Sequence, residues 1–552
     1  MGSQTVTPDK KSEETQNDLA NKALETASSL MGLQVLSRLV TFALNQALVR
    51  LATPAVYGTV SIQLELLLNT ILFLSREGFR NALLRADADG NAQKEQSLHV
   101  SNIALLPVYF GILVSSLTST LYFYSASEAT AEQPYFHATV ILYTCAAVLE
   151  LLSEPMHIRA VQQLNSAVRV RAEGSAIILK SVVTVTILLI DSSSKNSGRF
   201  ALLAFAFGQL SFSIALLLVY VPKVGKSVSL ILRAPRSTRP AWLTSKVQHY
   251  FDERLLEVSL AMTAQGFLKH ILTEGDKIII SRISPLKDQG GYAVANNYGA
   301  LIARIFFQPI EETSRLFFSK SLSLGHAGTP DIASLRTSLA RLGSLLLFYS
   351  HFSLFLLSLA PPYLTMVLSV ILPPRQVFRY LATSAPAVLS VWVWYIPVLA
   401  INGILEAFVS SVATPKALAR QSQWMAGGSA AYILLTIGLY RFGGLGDTAV
   451  VYANIANLSA RILYCTQFIS TLVHKRPYSE NAIKMLSWKD VLPPFSVMFA
   501  FAVAGVVTRL TARLSGVEDI AKSAGRGVLK SKPCILHLGV GASCGLVLLA
   551  VW

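Results

Sequence analysis

The sequence predicts an all-α polytopic membrane protein with about fourteen transmembrane helices. Hydrophobic residues make up 52% of the 552 positions, and the mean hydropathy is +0.49, well above the level of ordinary soluble proteins. Apolar runs of about 17–25 residues, the length that crosses a bilayer as a helix, recur along nearly the whole chain. These runs lack the short strands of alternating polarity that a membrane β-barrel requires.

The apolar runs divide into two groups of six and a final pair. We predict a first lobe at 28–222, a second lobe at 258–470 and two further helices at 471–552. A polar tail at 1–27 precedes the first lobe, and a basic loop at 223–257 connects the lobes. The predicted spans, with ends uncertain by about two to four residues, are 28–50, 56–75, 98–123, 135–154, 170–190, 200–222, 258–282, 290–314, 338–360, 384–410, 424–441, 446–470, 490–511 and 531–552.

Short internal matches indicate that the two lobes are pseudo-symmetric copies. Transporters are often built from structural repeats that survive as weak sequence similarity. Three matches recur in the same order in both halves: Glu77-x-x-Arg80 with Glu312-x-x-Arg315, Leu149-Glu150 with Leu405-Glu406, and Gly174-Ser175-Ala176 with Gly428-Ser429-Ala430. Their shared order predicts a duplication of two six-helix lobes with two added C-terminal helices.

The placement of the positive charges argues against a nucleic-acid partner. The net charge is +16, but most of the 47 Lys and Arg residues lie in the tail and the loops. If residue 1 is cytosolic, the cytosolic loops carry the excess, as the positive-inside rule requires, and both termini are cytosolic. We therefore expect the basic loops to face membrane lipid and not a nucleic acid. The Lys and Arg residues inside the predicted spans are Arg38, Lys180, Lys269, Lys277, Arg304 and Arg461.

Two of the apolar spans carry more charge than a membrane helix normally tolerates. A charged side chain at the bilayer centre costs about 2.5–3.5 kcal/mol on insertion scales, so such residues face a bundle interior or a wet cavity. One helical face of the seventh span is predicted to hold His270, Glu274, Lys277 and Ser281. One face of the eighth is predicted to hold Asn297, Arg304, Gln308, Glu311 and Arg315.

The first two spans carry matching polar faces, as the repeat predicts. The first span has Gln34, Arg38, Thr41 and Asn45, and the second has Glu65, Asn69 and Arg76. Polar faces on spans 1, 2, 7 and 8 predict a central cavity between the two lobes. The alternative is that each face binds one helix to its neighbour, as intramembrane polar groups often do.

No motif in the chain indicates an enzyme or a bound cofactor. The four cysteines lie in apolar helices and form neither a disulfide framework nor a metal cluster. Phosphate-cradling Gly-rich loops and H-E-x-x-H motifs are absent. Asp87-Ala88-Asp89 matches the D-x-D of glycosyltransferases, but that tripeptide is common by chance. We therefore predict a protein that is not an enzyme and needs no cofactor.

Five segments resemble one known family. They are LQVLSRLVTFALNQALVR, LFLSREGFR, LKHILTEGDK, DQGGYAVANNYGALIARIFFQPIEE and AINGILEAF, and they are similar to the Rft family of endoplasmic reticulum proteins. The resemblance spans roughly residues 28–510 and is most specific from Leu268 to Glu312. It implies the two-lobed fold of the superfamily of multidrug, oligosaccharidyl-lipid and polysaccharide exporters.

The resemblance also implies a substrate and a location. The implied partner is a dolichol-pyrophosphate-linked oligosaccharide, Man5GlcNAc2-PP-dolichol, moved from the cytosolic to the lumenal leaflet of the endoplasmic reticulum for N-glycosylation. An accessory, non-flippase role in dolichol-linked oligosaccharide assembly is the rival implication. A cation-coupled exporter of another substrate would have the same fold.

A diphosphate and a glycan need cations and hydrogen-bonding groups along their route. Arginine suits phosphate because its planar fork binds two oxygens and stays charged when desolvated. The predicted substrate-binding residues are Arg38, Arg76, Arg80, Lys269, Lys277, Arg304 and Arg461, with Asn45, Asn297 and Gln308. Arg76 and Arg80 lie at a helix end, where positive-inside anchors also occur.

Acidic residues near these cations are predicted to pair with them or to couple transport to an ion. The residues predicted for these two roles are the cation Arg315 and the glutamates Glu65, Glu77, Glu274, Glu311, Glu312 and Glu406. Glu150 and Glu154 are one turn apart, so we expect them to have separate partners, with Lys180 a candidate for one. The predicted mechanism is alternating access, in which the lobes rock about the cavity.

Overall fold

Every regular element of the described chain is a helix, which confirms the all-α prediction. The computed structural model describes residues 46–86, 94–162, 166–193, 198–225, 231–232, 250–322, 332–372, 376–474 and 491–551. Outside those ranges lie the tail 1–27, most of the first predicted span with Arg38 and Asn45, most of the loop 223–257, and Asp87-Ala88-Asp89.

The helices of the first group lie between residues 54 and 224. Helix α1 passes without interruption through a π-helical segment, Thr59–Leu64, into α2. The helices are α1 (Pro54–Gly58), α2 (Glu65–Ala86), α3 (Lys94–Ile103), α4 (Leu106–Ser125), α5 (Glu128–Ala131), α6 (Phe136–Leu152), α7 (Glu154–Gln162), α8 (Ser166–Ser193) and α9 (Ala201–Val224).

The second group follows from residue 253. A second π-helical segment, Ala303–Phe307, joins α12 to α13. The helices are α10 (Glu253–Thr273), α11 (Gly275–Ile283), α12 (Leu286–Ile302), α13 (Gln308–Ser321), α14 (Ile332–Leu359), α15 (Leu364–Ile371), α16 (Val377–Leu381), α17 (Ala385–Val412), α18 (Pro415–Arg441), α19 (Thr448–His474), α20 (Phe495–Leu514), α21 (Val517–Ala524) and α22 (Lys532–Val551).

Nine helical stretches in the described residues are long and apolar enough to cross a membrane, so the chain is a multi-pass membrane protein. Four other predicted spans, covered by α10–α11, α12–α13, α18 and α19, are helical but do not meet that criterion. The predicted count of fourteen helices is not confirmed. The nine stretches are Pro54–Leu83, Leu98–Ser125, Phe136–Val161, Val168–Ser193, Ala201–Val224, Ser334–Leu359, Ala385–Val412, Phe495–Leu514 and Lys532–Val551.

The prediction of one continuous helix at 258–282 is wrong. Helix α10 ends at Thr273 and α11 begins at Gly275, and Glu274 between them has φ −98° and ψ 12°. Glycine is a poor helix former. The Asp276 carboxylate accepts the backbone N–H of Lys277, which competes with continuous helical hydrogen bonding. The polar face predicted for this span is therefore divided between two helices.

Among the described residues, the largest contacts between the two helix groups are α2 with α10 and α1 with α12. At the second contact the backbones touch, because Gly58 and Gly290 face each other. A Cβ built on Gly290 would lie 1.9 Å from the Pro54 carbonyl oxygen. Small residues allow membrane helices to approach this closely. One cluster of buried apolar residues runs through both groups.

The outer helices expose their apolar side chains. Only 22% of the most apolar window of α8 and 17% of that of α22 are buried inside the protein. Large side chains such as Leu218, Leu434 and Leu546 are more than half exposed. Exposed apolar area on this scale is incompatible with a water-soluble monomer and fits a surface that lipid covers.

Candidate functional site: a cationic cavity between the helix groups

A cavity of about 310 Å³ lies between the two helix groups. One wall comes from Leu48, α1, α2, α6, α8, α9 and the first π-helical segment, and the other from α11, α12 and the second π-helical segment. The four charged residues and two of the polar residues that line it are Glu65, Lys180, Gln209, Lys277, Asn297 and Arg304.

Both π-helical segments contribute to the cavity lining. Ser61 belongs to the first segment, Thr59–Leu64, and Arg304 belongs to the second, Ala303–Phe307. Single-turn π segments inside α-helices occur frequently at functional sites, because the extra residue displaces side chains from their regular helical positions. Their presence on opposite walls marks this cavity as the candidate site.

The cavity carries more positive than negative charge. Its cations are Lys180, Lys277 and Arg304, and its one lining carboxylate among the described residues is Glu65. Lys277 Nζ lies 3.0 Å from Glu274 Oε2 and 3.9 Å from Glu65 Oε2, so nearby carboxylates offset much of its charge.

Other polar residues of α2 and α10 contact each other. Asn69 donates to Glu274 Oε1 at 3.1 Å, and the Thr70 hydroxyl lies 2.8 Å from His270 Nε2. For these residues the structure agrees with the alternative in which polar faces bind neighbouring helices. Lys269 is exposed on α10.

Arg76 and Arg80, which are partly buried, form ion pairs with buried glutamates within the first helix group. Arg76 Nη1 lies 2.7 Å from Glu150 Oε1. Arg80 binds Glu154 with both nitrogens of its fork, Nε to Oε1 at 2.7 Å and Nη2 to Oε2 at 2.6 Å. The two glutamates thus have separate partners, but Lys180 is neither of them, because its ammonium donates to Gln209 instead.

The predicted acidic residues of α13 have partners on their own helix. Glu311 Oε1 lies 2.7 Å from Arg315 Nη2, and Gln308 donates to Glu312 at 3.1 Å. The Glu311 carboxylate also packs against α17, since a Cβ on Gly403 would lie 2.7 Å from its Oε2. In the first group, Glu77 accepts from Asn81 at 3.1 Å.

A second polar cluster lies between α17 and α19. Arg461 Nη1 is 3.6 Å from Glu406 Oε1, which is close enough for charge attraction but too long for a hydrogen bond. Within the described structure, four buried polar atoms of this cluster lack a hydrogen-bond partner: Asn402 Oδ1, Glu406 Oε1, Asn457 Oδ1 and Arg461 Nε. Buried polar atoms are normally satisfied, so ordered water is expected here.

Four of the predicted site residues line the cavity: Glu65, Lys277, Asn297 and Arg304. Arg76, Arg80, Lys269, Gln308 and Arg461 are not among its lining residues. Prediction missed Lys180 and Gln209 as cavity residues. The available signal was a lone lysine in an apolar span, which marks a functional position by default. Among the described residues, no group of three or more His, Cys, Asp or Glu side chains could hold a metal ion.

Comparison with known proteins identifies the family. The profile of the Rft protein family matches residues 22–552. The chain belongs to the Rft family. This confirms the resemblance found in the five sequence segments.

Several Rft proteins from other organisms are similar to this chain over most of its length. Each is named Man(5)GlcNAc(2)-PP-dolichol translocation protein RFT1. The Yarrowia lipolytica protein is 33% identical over 90% of this chain and 75% of its own length. The Saccharomyces cerevisiae protein is 29% identical over 86% of this chain and 87% of its own. The Xenopus tropicalis protein is 29% identical over 96% of this chain and 93% of its own length.

Two solved structures share the fold of this Rft protein. The lipid II flippase MurJ in an inward closed conformation aligns with a TM-score of 0.56, over 95% of this chain and 98% of that one. An inward-facing multidrug resistance MATE transporter of the MOP superfamily aligns with a TM-score of 0.51, over 80% of this chain and 99% of that one. The identities are 12% and 11%, so the similarity concerns the fold alone. It confirms the exporter-like architecture.

Proposed function

We propose that this Rft protein translocates Man5GlcNAc2-PP-dolichol from the cytosolic to the lumenal leaflet of the endoplasmic reticulum membrane, for protein N-glycosylation. No covalent chemistry is involved, and both termini face the cytosol. The names of relatives at 29–33% identity support the substrate. The observation that carries the proposal is the cationic cavity between the helix groups.

The cavity chemistry suits a diphosphate headgroup. Phosphate oxygens accept charge-assisted hydrogen bonds, which are shorter and roughly twice as strong as neutral ones. Lys277 and Arg304 offer such donors on one wall and Lys180 on the other. Asn297 and Gln209 add amide groups that can hydrogen-bond to sugar hydroxyls.

The cavity volume limits how much of the substrate it encloses. At about 310 Å³ it lies at the lower end of the range of about 300–1,000 Å³ that small-molecule sites span. A site of this size holds a diphosphate and the adjoining sugar, and not the whole oligosaccharide. We therefore infer that the outer sugars project beyond the cavity and that the dolichol chain stays in lipid.

One end of the interface between the helix groups is closed. Gln63 and Gln289 are 5% and 2% exposed, and Gln63 Nε2 donates to Gln289 Oε1 at 2.8 Å across the interface. Tyr122 completes the network by donating to Gln63 Oε1 at 2.9 Å. In contrast, Arg304 and Gln308, further along the α12–α13 helix pair, are exposed. In the predicted topology the closed end is lumenal, so the cavity is open toward the cytosol, the side from which the substrate enters.

Translocation by the purified protein tests the proposal directly. The full-length chain is reconstituted in liposomes that contain radiolabelled Man5GlcNAc2-PP-dolichol, and transfer between leaflets is measured with a lectin that reaches only the outer leaflet. The wild type should accelerate transfer relative to protein-free liposomes. Arg304→Gln should lower the rate by about 10–100-fold, because a hydrogen bond to a charged group contributes about 1.5–3 kcal/mol.

The matched control is Arg341→Gln, which removes an exposed arginine of α14 and should leave the rate unchanged. Transfer at the protein-free rate with wild-type protein would overturn the proposal. Normal leaflet transfer in endoplasmic reticulum vesicles that lack the protein, with N-glycosylation still impaired, would assign the accessory role instead.

A further inference from the structure

We propose that Lys180 is a phosphate-binding residue of the cavity and that Gln209 is the residue that positions it. This inference rests on the proposed function and deepens it, because it assigns a cation to the wall opposite Lys277 and Arg304. The ligand class is an isoprenoid diphosphate.

The setting of Lys180 is unusual for a lysine. It is the one Lys or Arg between residues 172 and 193 of α8, and the neighbouring sequence is Ala-Ile-Ile-Leu before it and Ser-Val-Val after it. Most of α8 exposes apolar side chains, yet Lys180 is directed to the cavity. A lysine inside a membrane helix is costly and marks a functional position unless a partner neutralises it.

The partners of Lys180 in the described part of the chain are uncharged: the amide of Gln209, and the Phe212 ring, whose centroid lies 6.0 Å from Nζ. Lys180 Nζ donates to the neutral side-chain oxygen of Gln209 at 2.7 Å. Within the described residues no carboxylate oxygen lies within 4.0 Å of this ammonium, whereas Lys277 has two carboxylates at that distance or closer. An ammonium has three donors, and Gln209 accepts from one of them. Lys180 can therefore bind an anion, whereas Glu274 and Glu65 already offset much of the positive charge of Lys277.

The close packing of α9 against α8 places Gln209 next to Lys180. At Gly208, α9 comes so close to α8 that a Cβ would lie 1.9 Å from the Thr184 hydroxyl oxygen and 3.0 Å from the Lys180 carbonyl oxygen. Thr184 donates that hydroxyl to the same carbonyl at 2.7 Å. Gln209 is 2% exposed, so its amide is held in one place by this contact. The close approach sets the Gln209 oxygen within reach of the ammonium.

The two walls can therefore bind one anion together. Lys180 belongs to the first helix group, and Lys277 and Arg304 belong to the second. A diphosphate offers two adjacent anionic groups and can contact both walls, and Gln209 holds the ammonium toward the cavity until the ligand arrives. The phosphates of bilayer lipids have the same chemistry, so the test must separate the two sources.

Binding of a short isoprenoid diphosphate by the intact protein tests this assignment. The full-length protein is placed in phosphatidylcholine nanodiscs, and the dissociation constants of farnesyl diphosphate, farnesyl monophosphate and farnesol are measured by calorimetry. Variants are Lys180→Met, Lys180→Arg and Gln209→Leu. Arg169→Met is the matched control, because Arg169 is on the same helix but exposed and paired with Glu173.

We expect Lys180→Met to weaken farnesyl diphosphate binding by at least tenfold and Lys180→Arg to retain most of it. Gln209→Leu should weaken it by a smaller factor, and farnesol binding should not change in any variant. Nanodiscs with added phosphatidylserine should leave the dissociation constant unchanged, because the site takes an isoprenoid diphosphate and not a bilayer phosphate. Competition by phosphatidylserine would overturn that part of the proposal.

A stability measurement separates binding from a merely structural role. Lys180→Met removes a partly buried charge that has no carboxylate partner among the described residues, so the melting temperature of the ligand-free protein should stay the same or rise, while the shift on adding farnesyl diphosphate disappears. A lower melting temperature with an unchanged dissociation constant would overturn the inference.

The binding data also separate this inference from the proposed function. If Lys180→Met binds farnesyl diphosphate normally and Arg304→Gln does not, the role assigned to Lys180 is wrong and the proposed function stands. If the wild-type protein binds farnesyl diphosphate no better than farnesol, the cavity is not a diphosphate site, and the proposed function is wrong as well.

Discussion

At the scale of single residues, this protein treats its buried charges in two different ways. Glu154 is 2% exposed at its side chain and is held by both nitrogens of the Arg80 fork. Lys180, which is partly buried, has a neutral amide as its hydrogen-bond partner and the Phe212 ring nearby among the described residues. A buried charge with a bidentate partner contributes to structure, because breaking the pair leaves an uncompensated charge. We propose that Lys180, which has no such partner among the described residues, binds the ligand instead.

Removing Arg80 should therefore destabilise the protein. Arg80→Gln leaves the Glu154 carboxylate buried, at a cost of about 3–5 kcal/mol when one partner of a buried pair is lost. Arg76 lies 3.8 Å from Glu154 and should hold the cost near the lower end. The expected result is a clear fall in the melting temperature of the purified protein.

Adding Glu154→Gln to Arg80→Gln should recover part of the loss, since the orphaned charge is then removed. Lys522→Gln is the control, because it breaks an exposed pair with Glu518 and such pairs contribute about 0–1 kcal/mol. A double variant that is as unstable as the sum of the two single variants would contradict the pairing.

At the scale of helices, the contact between α1 and α12 depends on glycine. A Cβ on Gly58 would lie 2.6 Å from the backbone nitrogen of Gly290. No rotamer relieves a clash with backbone atoms, so any larger residue at either position must separate the two helices. The Gln63–Gln289 hydrogen bond belongs to the same end of the interface and requires that closeness.

Gly290→Val should open this contact. The change can be measured as the cross-linking yield between Gln63→Cys and Gln289→Cys with a short thiol reagent, in a chain without its four native cysteines. We expect the yield to fall by several-fold. Gly539→Val is the control, because a Cβ there meets nothing within 4 Å. An undiminished yield in Gly290→Val would show that the helices do not rely on this glycine.

At the scale of the whole molecule, the closed end and the cavity imply a transport cycle. The closed network and the exposed side of α13 lie at different depths along the same interface between the helix groups. Release on the far side requires the closed end to separate, because the diphosphate cannot pass through hydrocarbon. A ligand drives such a change only by binding the two states unequally.

Cross-linking the closed end should therefore stop translocation. In the Gln63→Cys and Gln289→Cys double variant, a reducible thiol cross-linker should abolish leaflet transfer, and a reductant should restore it. Each single-cysteine variant treated with the same reagent should keep its activity. Full transfer while the link is intact would rule out a cycle that opens this end.

Some features of this protein followed from local sequence alone. Hydropathy and charge are summed along short windows, so the helical membrane class and the excess charge of the seventh and eighth spans could be predicted without a fold. Four cavity residues, including Lys277 and Arg304, were found because a charged or strongly polar residue in an apolar run is itself a signal. The break at Glu274 was missed, since the apolar run continues through it.

The tertiary structure decided which polar residues share a space. Arg76 and Arg80 were predicted to bind the substrate and Lys180 to pair with a glutamate, yet the two arginines bind glutamates of α6 and α7 and Lys180 lines the cavity. That division depends on how each helix is rotated against neighbours that lie far away in the chain. Periodicity tells which residues share one helix face, but only the packing of helices tells what that face meets.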